Sequence, residues 1–409
     1  MGKQTKFRSS TGDAKEPPRY ILDLADQVWG KVKEAHETKT KSTETASGRL
    51  SEHGEADDDT LRVTLLAKGG YNDVWRATST TDDRCSFVLR VPNEDSLKPH
   101  QVQNEVGWLL HVKKHCADIP VPTVYDYCDG SKSGERPFIA QKYVDAPALS
   151  QAWLTYTEPE KHVVAKKIAE LIIRLGEQRF EKIAGMLPDG TLGPTVEGCK
   201  LYKGRDAFHS PTCYDIGPYA TIKEYILAYY DKEIYYYSHA SAPDLDEDLF
   251  EEVSPAEYVE ALTQKQASLE AELNANPAEE PFVLCHNDLQ GRNILMDGTS
   301  IAAVIDWEFA GSYPLSELED TGVDVLEMDD EDATEECFHW SGVISDLVKV
   351  IAKERGWSNE DVKLLEDGGN PTLQAVRVEM FPEQKYEEEE VEGSVLRRRL
   401  RWILRLCMP

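Results

Sequence analysis

The spacing of apolar residues changes several times along this 409-residue chain. Tyr20 to Ala35 sets Ile21, Leu22, Ala25, Val28 and Trp29 along one side of a short amphipathic helix. Residues 1–18 are polar, contain Pro17-Pro18 and read as disordered; residues 36–58 are rich in Thr, Ser, Glu and Asp and read as a linker. From Leu61 the pattern shortens to strands: Leu61 to Ala67, Val74 to Thr78, Ser86 to Val91 and Phe138 to Lys142, with a helix over Val102 to His115. It then lengthens again. Glu158 to Leu175 carries Val163, Val164, Ile168, Leu171, Ile172 and Leu175 at helical spacing, and Thr221 to Tyr237, Pro255 to Ala275 and Gly342 to Glu354 read as further helices. No internal repeat is present. The pattern divides the chain into an N-terminal extension (1–58), a small strand-rich unit (59–144), a larger helical unit (145–380) and a charged tail (381–409). In the tail residues 387–392 are almost all Glu and precede Arg397, Arg398, Arg399 and Arg401. An interaction tail is one reading; a terminal helix packing Leu396, Leu400, Ile403 and Leu404 is the favoured one.

One stretch concentrates chemistry. Residues 282–309 run from an apolar strand into His286 and Asp288, place Asn293 five residues further on, and fold two short apolar strands about a turn at Asp297-Gly298. The second strand delivers Asp306. A carboxylate at Asp288 can orient a hydroxyl and take its proton. Asn293 offers a neutral amide oxygen, a hard ligand suited to Mg²⁺. Asp306 can anchor a metal that bridges phosphates, and His286 can orient the loop through hydrogen bonds. This is the set that phosphoryl transfer from metal-bound ATP requires.

Composition narrows the partners. Seventy-five acidic residues face 45 basic ones, a formal net charge of -30, which disfavours nucleic acid and anionic membranes and favours cationic partners. Solubility accounts for most of that charge, and a bound ATP needs a local basic spot and metal ions. The eight Cys form no CxxC pair, so no disulfide framework or zinc site is expected, and a reducing, cytoplasmic setting follows. The N-terminus has no signal-peptide core, Lys6 breaks the myristoylation pattern, and no apolar run reaches a membrane span. Asp13, Glu16, Asp23 and Asp26 argue against a transit peptide, although a mitochondrial address stays open. His111 and His115 have zinc-helix spacing but lack the accompanying Glu and any third ligand.

The segment H-N-D-L-Q-G-R-N-I-L-M-D, followed by A-V-I-D-W-E, resembles the catalytic core of the aminoglycoside phosphotransferase family, and most of all a fungal branch of phosphotransferase-like proteins. The resemblance spans about Leu61 to Trp357. It implies an α+β, bilobal, protein-kinase-like fold with a small β-rich N-lobe and a larger helical C-lobe, and ATP between the lobes. Asp288 is then the catalytic base, and Asn293 and Asp306 are the Mg²⁺ ligands. Gly69 and Gly70 cover the phosphates from a turn between strands. Arg90 stands where such kinases carry a phosphate-binding Lys, a departure that is not neutral; Glu105 is its ion-pair partner. Gln141-Lys142-Tyr143-Val144 resembles the hinge whose backbone meets adenine.

The chain passes quickly from Asp306 to Tyr313-Pro314-Leu315 with no Ala-Pro-Glu element, which favours a small acceptor over a protein. Glu317, Glu319, Asp320, Asp324 and the acid-rich run from Asp329 to Glu336 suggest a pocket for a cationic molecule. Tyr225, Tyr229, Tyr230 and Tyr235 to Tyr237 suggest an aromatic wall. A solvated loop and a helix interface are the favoured alternatives. The expectation is an ATP- and Mg²⁺-dependent phosphotransferase acting on a small-molecule hydroxyl. The alternative is a nucleotide-binding pseudokinase or scaffold, with a protein kinase behind it. Acceptor and oligomeric state stay open.

Overall fold

The computed structural model describes residues 16–47, 60–82, 85–94, 96–196, 208–239, 254–318, 322–327 and 331–367. The charged tail, Glu319, Asp320, Asp329 and the second half of the linker lie outside them. Helix α1 (Arg19–Ser47) is followed by β1 (Leu61–Lys68), β2 (Asn72–Ser79), β3 (Ser86–Pro92), α2 (His100–His115), β4 (Val124–Cys128) and β5 (Phe138–Lys142). The five strands form one antiparallel sheet in the order β1-β2-β3-β5-β4. The expectation of four strands missed β4, an edge strand whose residues are half-buried or exposed and therefore carry no apolar alternation.

Side-chain alternation splits this sheet into two faces. Val63, Trp75, Ala77, Phe87, Leu89, Val91, Phe138 and Ala140 pack with Ile21, Ala25, Val28, Trp29 and Val32 of α1. The N-terminal helix thus covers one face of the sheet. It runs twelve residues beyond Ala35, into the segment expected to be linker. Once packing has nucleated the first turns, adding further turns is cheap even for Thr and Ser. On the other face Ile139 meets Val102 and Val106 of α2.

The helical part comprises α3 (Leu149–Ala152), α4 (Glu158–Gly176), α5 (Ile222–His239), α6 (Pro255–Ala275), α7 (Glu331–Glu354) and α8 (Asn359–Asp367). Short strands β6 (Arg179–Phe180), β7 (Gly185–Met186), β8 (Leu192–Gly193), β9 (Phe282–Cys285), β10 (Ile294–Asp297), β11 (Ser300–Val304) and β12 (Gly311–Pro314) accompany them, in the small sheets β12-β9-β6, β10-β11 and β7-β8. Capping boxes start two of the helices, Thr157 with Glu160 on α4 and Ser254 with Glu257 on α6, each preceding a Pro in the first turn. The core runs from Trp108 through Trp153, Ile168, Tyr230 and Trp307 to Trp340. Tyr230, Tyr236 and Tyr237 are buried within it, so the aromatic run of α5 serves packing. Among the described residues no helix is long and apolar enough to cross a membrane.

One contact sets α2 against the helical part. A Cβ on Gly107 would lie 2.2 Å from the Met186 carbonyl oxygen, so the helix backbone rests directly on β7. Gly107→Ala is expected to lower stability by ~1–3 kcal/mol through overpacking. Gly30, on α1, has nothing within 4 Å of its missing Cβ; Gly30→Ala is expected to raise stability by ~0.5–1 kcal/mol. Denaturant titration of the two variants beside the parent protein checks both signs.

Candidate active site

The buried strand β9 ends at Cys285, and the chain then passes through His286, Asn287 and Asp288 to Gly291–Asn293 and into β10. Asn287 takes φ 62°, and Asp306 takes φ 68° where the chain leaves β11. Left-handed backbone at a non-glycine residue costs roughly 1–3 kcal/mol and persists only where surroundings enforce it. Here they do. Asn287 Nδ2 donates to the Phe309 carbonyl at 2.9 Å, and Ile305 N–H donates to the Asn293 carbonyl at 2.9 Å. Pairing of Ile294 with Val304 in the β10–β11 hairpin therefore brings Asn293 beside the segment that carries Asp306.

His286 is the strut of this loop. Its Nδ1 accepts from the Asp288 N–H at 3.3 Å, so Nε2 carries the proton and donates to the Ile305 carbonyl at 3.1 Å. The ring lies 4.7 Å from that of Trp307, edge to face. Burial pushes its pKa down to about 4, against the pull of Asp306, so the neutral form is the one built in.

Asp288 is held on both oxygens. Oδ2 accepts from Asn293 Nδ2 at 2.8 Å and Oδ1 from Arg292 Nη2 at 2.5 Å. Burial pushes the carboxyl up to about 6, with Arg292 opposing and Asp306 adding to the rise. The group is thus mostly ionised at neutral pH yet close enough to it to take up a proton. Asn293 also donates to the Asp288 carbonyl at 2.9 Å, so its amide nitrogen is fully engaged. Its Oδ1 has no hydrogen-bond partner among the described residues. Arg292 was not singled out from the sequence; an Asp-Arg pair at i,i+4 spacing was the available signal.

The other half of the site gathers on Arg90. Its side chain, 7% exposed, meets Glu105 at 3.1 Å, Asp306 at 2.5 Å and Glu308 at 3.7 Å. The Arg90–Glu105 pair expected from sequence is present, as an ion pair without a well-aligned hydrogen bond. The contacts to Asp306 and Glu308 were not anticipated. Glu308 also accepts from Asn72 Nδ2 at 2.7 Å and Gln101 Nε2 at 2.5 Å, tying β2 and α2 to the segment that carries Asp306. Asn104 adds bonds to the carbonyls of Glu308 and Ala310 and accepts from Met186 N–H. Burial pushes Glu308 up to about 8 and Glu105 up to about 7, since one guanidinium cannot neutralise three carboxylates. Burial works the same way on Asp306, but Arg90 outweighs it and holds that carboxyl below its ordinary range.

Gly69 and Gly70 form the turn between β1 and β2. Gly69 N–H donates to the Asn72 carbonyl, and the turn is pinned to the end of β3 by Asn93 Nδ2 on the Gly70 carbonyl at 2.8 Å. In the acid-rich region, Asp324 docks by backbone on the catalytic loop, and Glu336 is engaged by Trp153, Lys161 and Trp340. His111 packs edge-on against Trp108, and burial pushes it down to about 4, which is packing rather than ligation. Among the described residues no three His, Cys, Asp or Glu side chains gather into a metal cage. Asn293 Oδ1 and the Asp306 carboxylate oxygen not taken by Arg90 remain as hard donors. That sparse set suits Mg²⁺, which keeps waters and phosphate oxygens as most of its shell.

The phosphotransferase enzyme family (APH) matches residues 62–317, and the chain belongs to it. Among solved structures, aminoglycoside phosphotransferase APH(4)-Ia is similar at 17% identity over 78% of this chain and 84% of that one, with a TM-score of 0.45. The APH(2″)-IIa complex with streptomycin and ATP is similar at 14% identity over 79% and 93%, with a TM-score of 0.40. Likeness at this level carries nothing about substrate. No curated protein sequence matches the chain significantly. Membership supports phosphoryl transfer and lends nothing to the scaffold alternative.

The neutral His286 has a pH consequence. Its folded pKa, about 4, lies below the ordinary 6.5, so the unfolded chain binds the extra proton first as pH falls. Stability that is full above about pH 6.5 is lost down to about pH 4. His286→Asn is expected to flatten this decline while lowering the melting temperature at neutral pH; melting curves across the window check it.

Proposed function

We propose that this chain is an ATP- and Mg²⁺-dependent phosphotransferase that passes the γ-phosphoryl group to a hydroxyl of a small molecule. The observation that carries the reading is Asp288, a buried carboxylate pushed up to about 6 and locked on both oxygens, one bond from the free amide oxygen of Asn293. Asp288 orients the acceptor hydroxyl and takes its proton as the hydroxyl oxygen bonds to phosphorus and the bond to the ADP oxygen breaks. Asn293 and Asp306 hold Mg²⁺, which when bound offsets phosphate charge. Arg90, fixed by Glu105, supplies the cation at the phosphates, and Gly69 and Gly70 cover them with backbone. The Val144 N–H, which has no partner among the described residues, meets the base. Such a site works by positioning and electrostatics more than by covalent chemistry.

Asp324 lies on the loop, and Glu327 acts on Arg292 through space, so cationic acceptors belong in the first screen. Asp288→Asn is expected to lower turnover by ~10²–10⁴-fold while leaving the thermal stabilisation by ATP·Mg²⁺ intact. Asp306→Asn is expected to abolish the Mg²⁺-dependent part of that stabilisation. Phosphate transfer from ATP to a library of amino sugars, amino alcohols, amino acids and sugars, read beside thermal shifts, checks both. Nucleotide binding with no transfer to any acceptor would overturn the enzyme reading.

A further inference from the structure

Two guanidiniums stand in the site, and they are held in opposite ways. Arg90 is enclosed: its side chain is 7% exposed and is shared by Glu105, Asp306 and Glu308. Arg292 is tethered at one point. Its Nη2 donates to Asp288 Oδ1 at 2.5 Å, and its side chain is 36% exposed. Its Nε and Nη1 have no hydrogen-bond partner among the described residues. A guanidinium carries five N–H donors in a rigid fork, so most of this one is unspent.

Its place in the loop gives the fork a direction. Arg292 sits in the Gly291–Asn293 turn, directly before Asn293 and four residues after Asp288. It is near enough to both Asp288 and Asp306 to favour their charged forms, and it feels Glu327 as well. Base, metal donor and guanidinium therefore face one space. Positioning the base does not by itself call for an arginine there. Asn293 already holds Asp288 through Oδ2 and, with a second bond, through its carbonyl.

Phosphoryl transfer does call for one. The transferring group spreads negative charge over three oxygens, and it must come within bonding reach of a hydroxyl that Asp288 is holding. Two anions meeting in a poorly hydrated site repel strongly. A cation on the base offsets that repulsion where it is greatest. A carboxylate has about four lone-pair sites; Asn293 and Arg292 take one each, which leaves room for the acceptor hydroxyl. The planar fork can keep one N–H on Asp288 and turn its spare N–H groups to phosphoryl oxygens, a bridge that the point charge of a lysine makes poorly.

We propose that Arg292 is a catalytic residue, one that stays on Asp288 and donates hydrogen bonds from its spare N–H groups to the transferring phosphoryl group. Arg292 gives up no proton; the acceptor proton goes to Asp288. The inference rests on the phosphotransferase reading above and adds the cation that meets the moving group. It is tested without an acceptor by calorimetric binding of ADP·Mg²⁺ alone and with aluminium fluoride, which stands in for the phosphoryl group in flight. In wild-type protein aluminium fluoride is expected to tighten ADP·Mg²⁺ by ~10²-fold or more. In Arg292→Gln that tightening is expected to fall below ~3-fold, while ADP·Mg²⁺ alone binds as in wild type. The slow transfer of phosphate from ATP·Mg²⁺ to water is expected to lose ~10²–10³-fold in kcat with KM little changed. Arg292→Lys, which keeps the charge and serves if the Gln variant does not fold, is expected to retain only part of the tightening. Full tightening in either variant, weakened binding of ADP·Mg²⁺ alone, or no tightening in wild type overturns the proposal. Failure of wild type to bind ADP·Mg²⁺ or ATP·Mg²⁺ at all would instead overturn the phosphotransferase reading beneath it.

Discussion

Arg90 is one guanidinium buried against three carboxylates that reach it from two separate parts of the fold. Glu105 comes from α2, and Asp306 and Glu308 from the segment after β11. A buried charge demands partners, and removing one side of such a cluster leaves the other uncompensated. The cluster therefore fixes the sheet, the helix and the catalytic segment relative to one another. Glu308 spreads the constraint to Asn72 at the glycine turn and Gln101 on α2, and Asn104 closes it against β7. Excess negative charge is the consequence. Burial lifts Glu308 and Glu105 until they hold protons near neutral pH, and Asp306 keeps its charge because Arg90 is closest to it.

The catalytic loop depends on a second and different device. A neutral imidazole bridges the loop backbone to the strand segment that carries Asp306, with donor and acceptor both used. Two left-handed residues, Asn287 and Asp306, stand at either end of that bridge. The strain is held by the side-chain bond of Asn287 to Phe309 and by the hairpin register. The proposed base and metal donors are thereby set before any ligand arrives, as preorganised electrostatic catalysis requires.

Much of this was legible in the order of residues. Asp288, Asn293 and Asp306 stand out because a loop between two short strands needs few residues, so the spacing survives in the sequence. β5 and α6 were also read with their observed ends, since apolar runs with clear punctuation mark them. Arg292 and the role of Glu308 were not singled out. Glu308 matters through Asn72 and Gln101, neighbours distant in sequence, and Arg292 through the way its loop folds it onto Asp288. The tyrosines of α5 could equally have lined a pocket, and only their burial against α6 and the core decides for packing.

The sequence by itself determined the alternation of elements, the catalytic loop and its hairpin, and the membership those motifs support, because these are local patterns of period and spacing. The tertiary structure decided which charges meet. Burial and distance set the ionisation of Asp288, Glu105 and Glu308, attached Arg90 to Asp306 as well as to its expected partner, and turned α1 from an extension into one wall of the small core. Electrostatic energy depends on separation in space and on the loss of water, and neither is written in the order of residues.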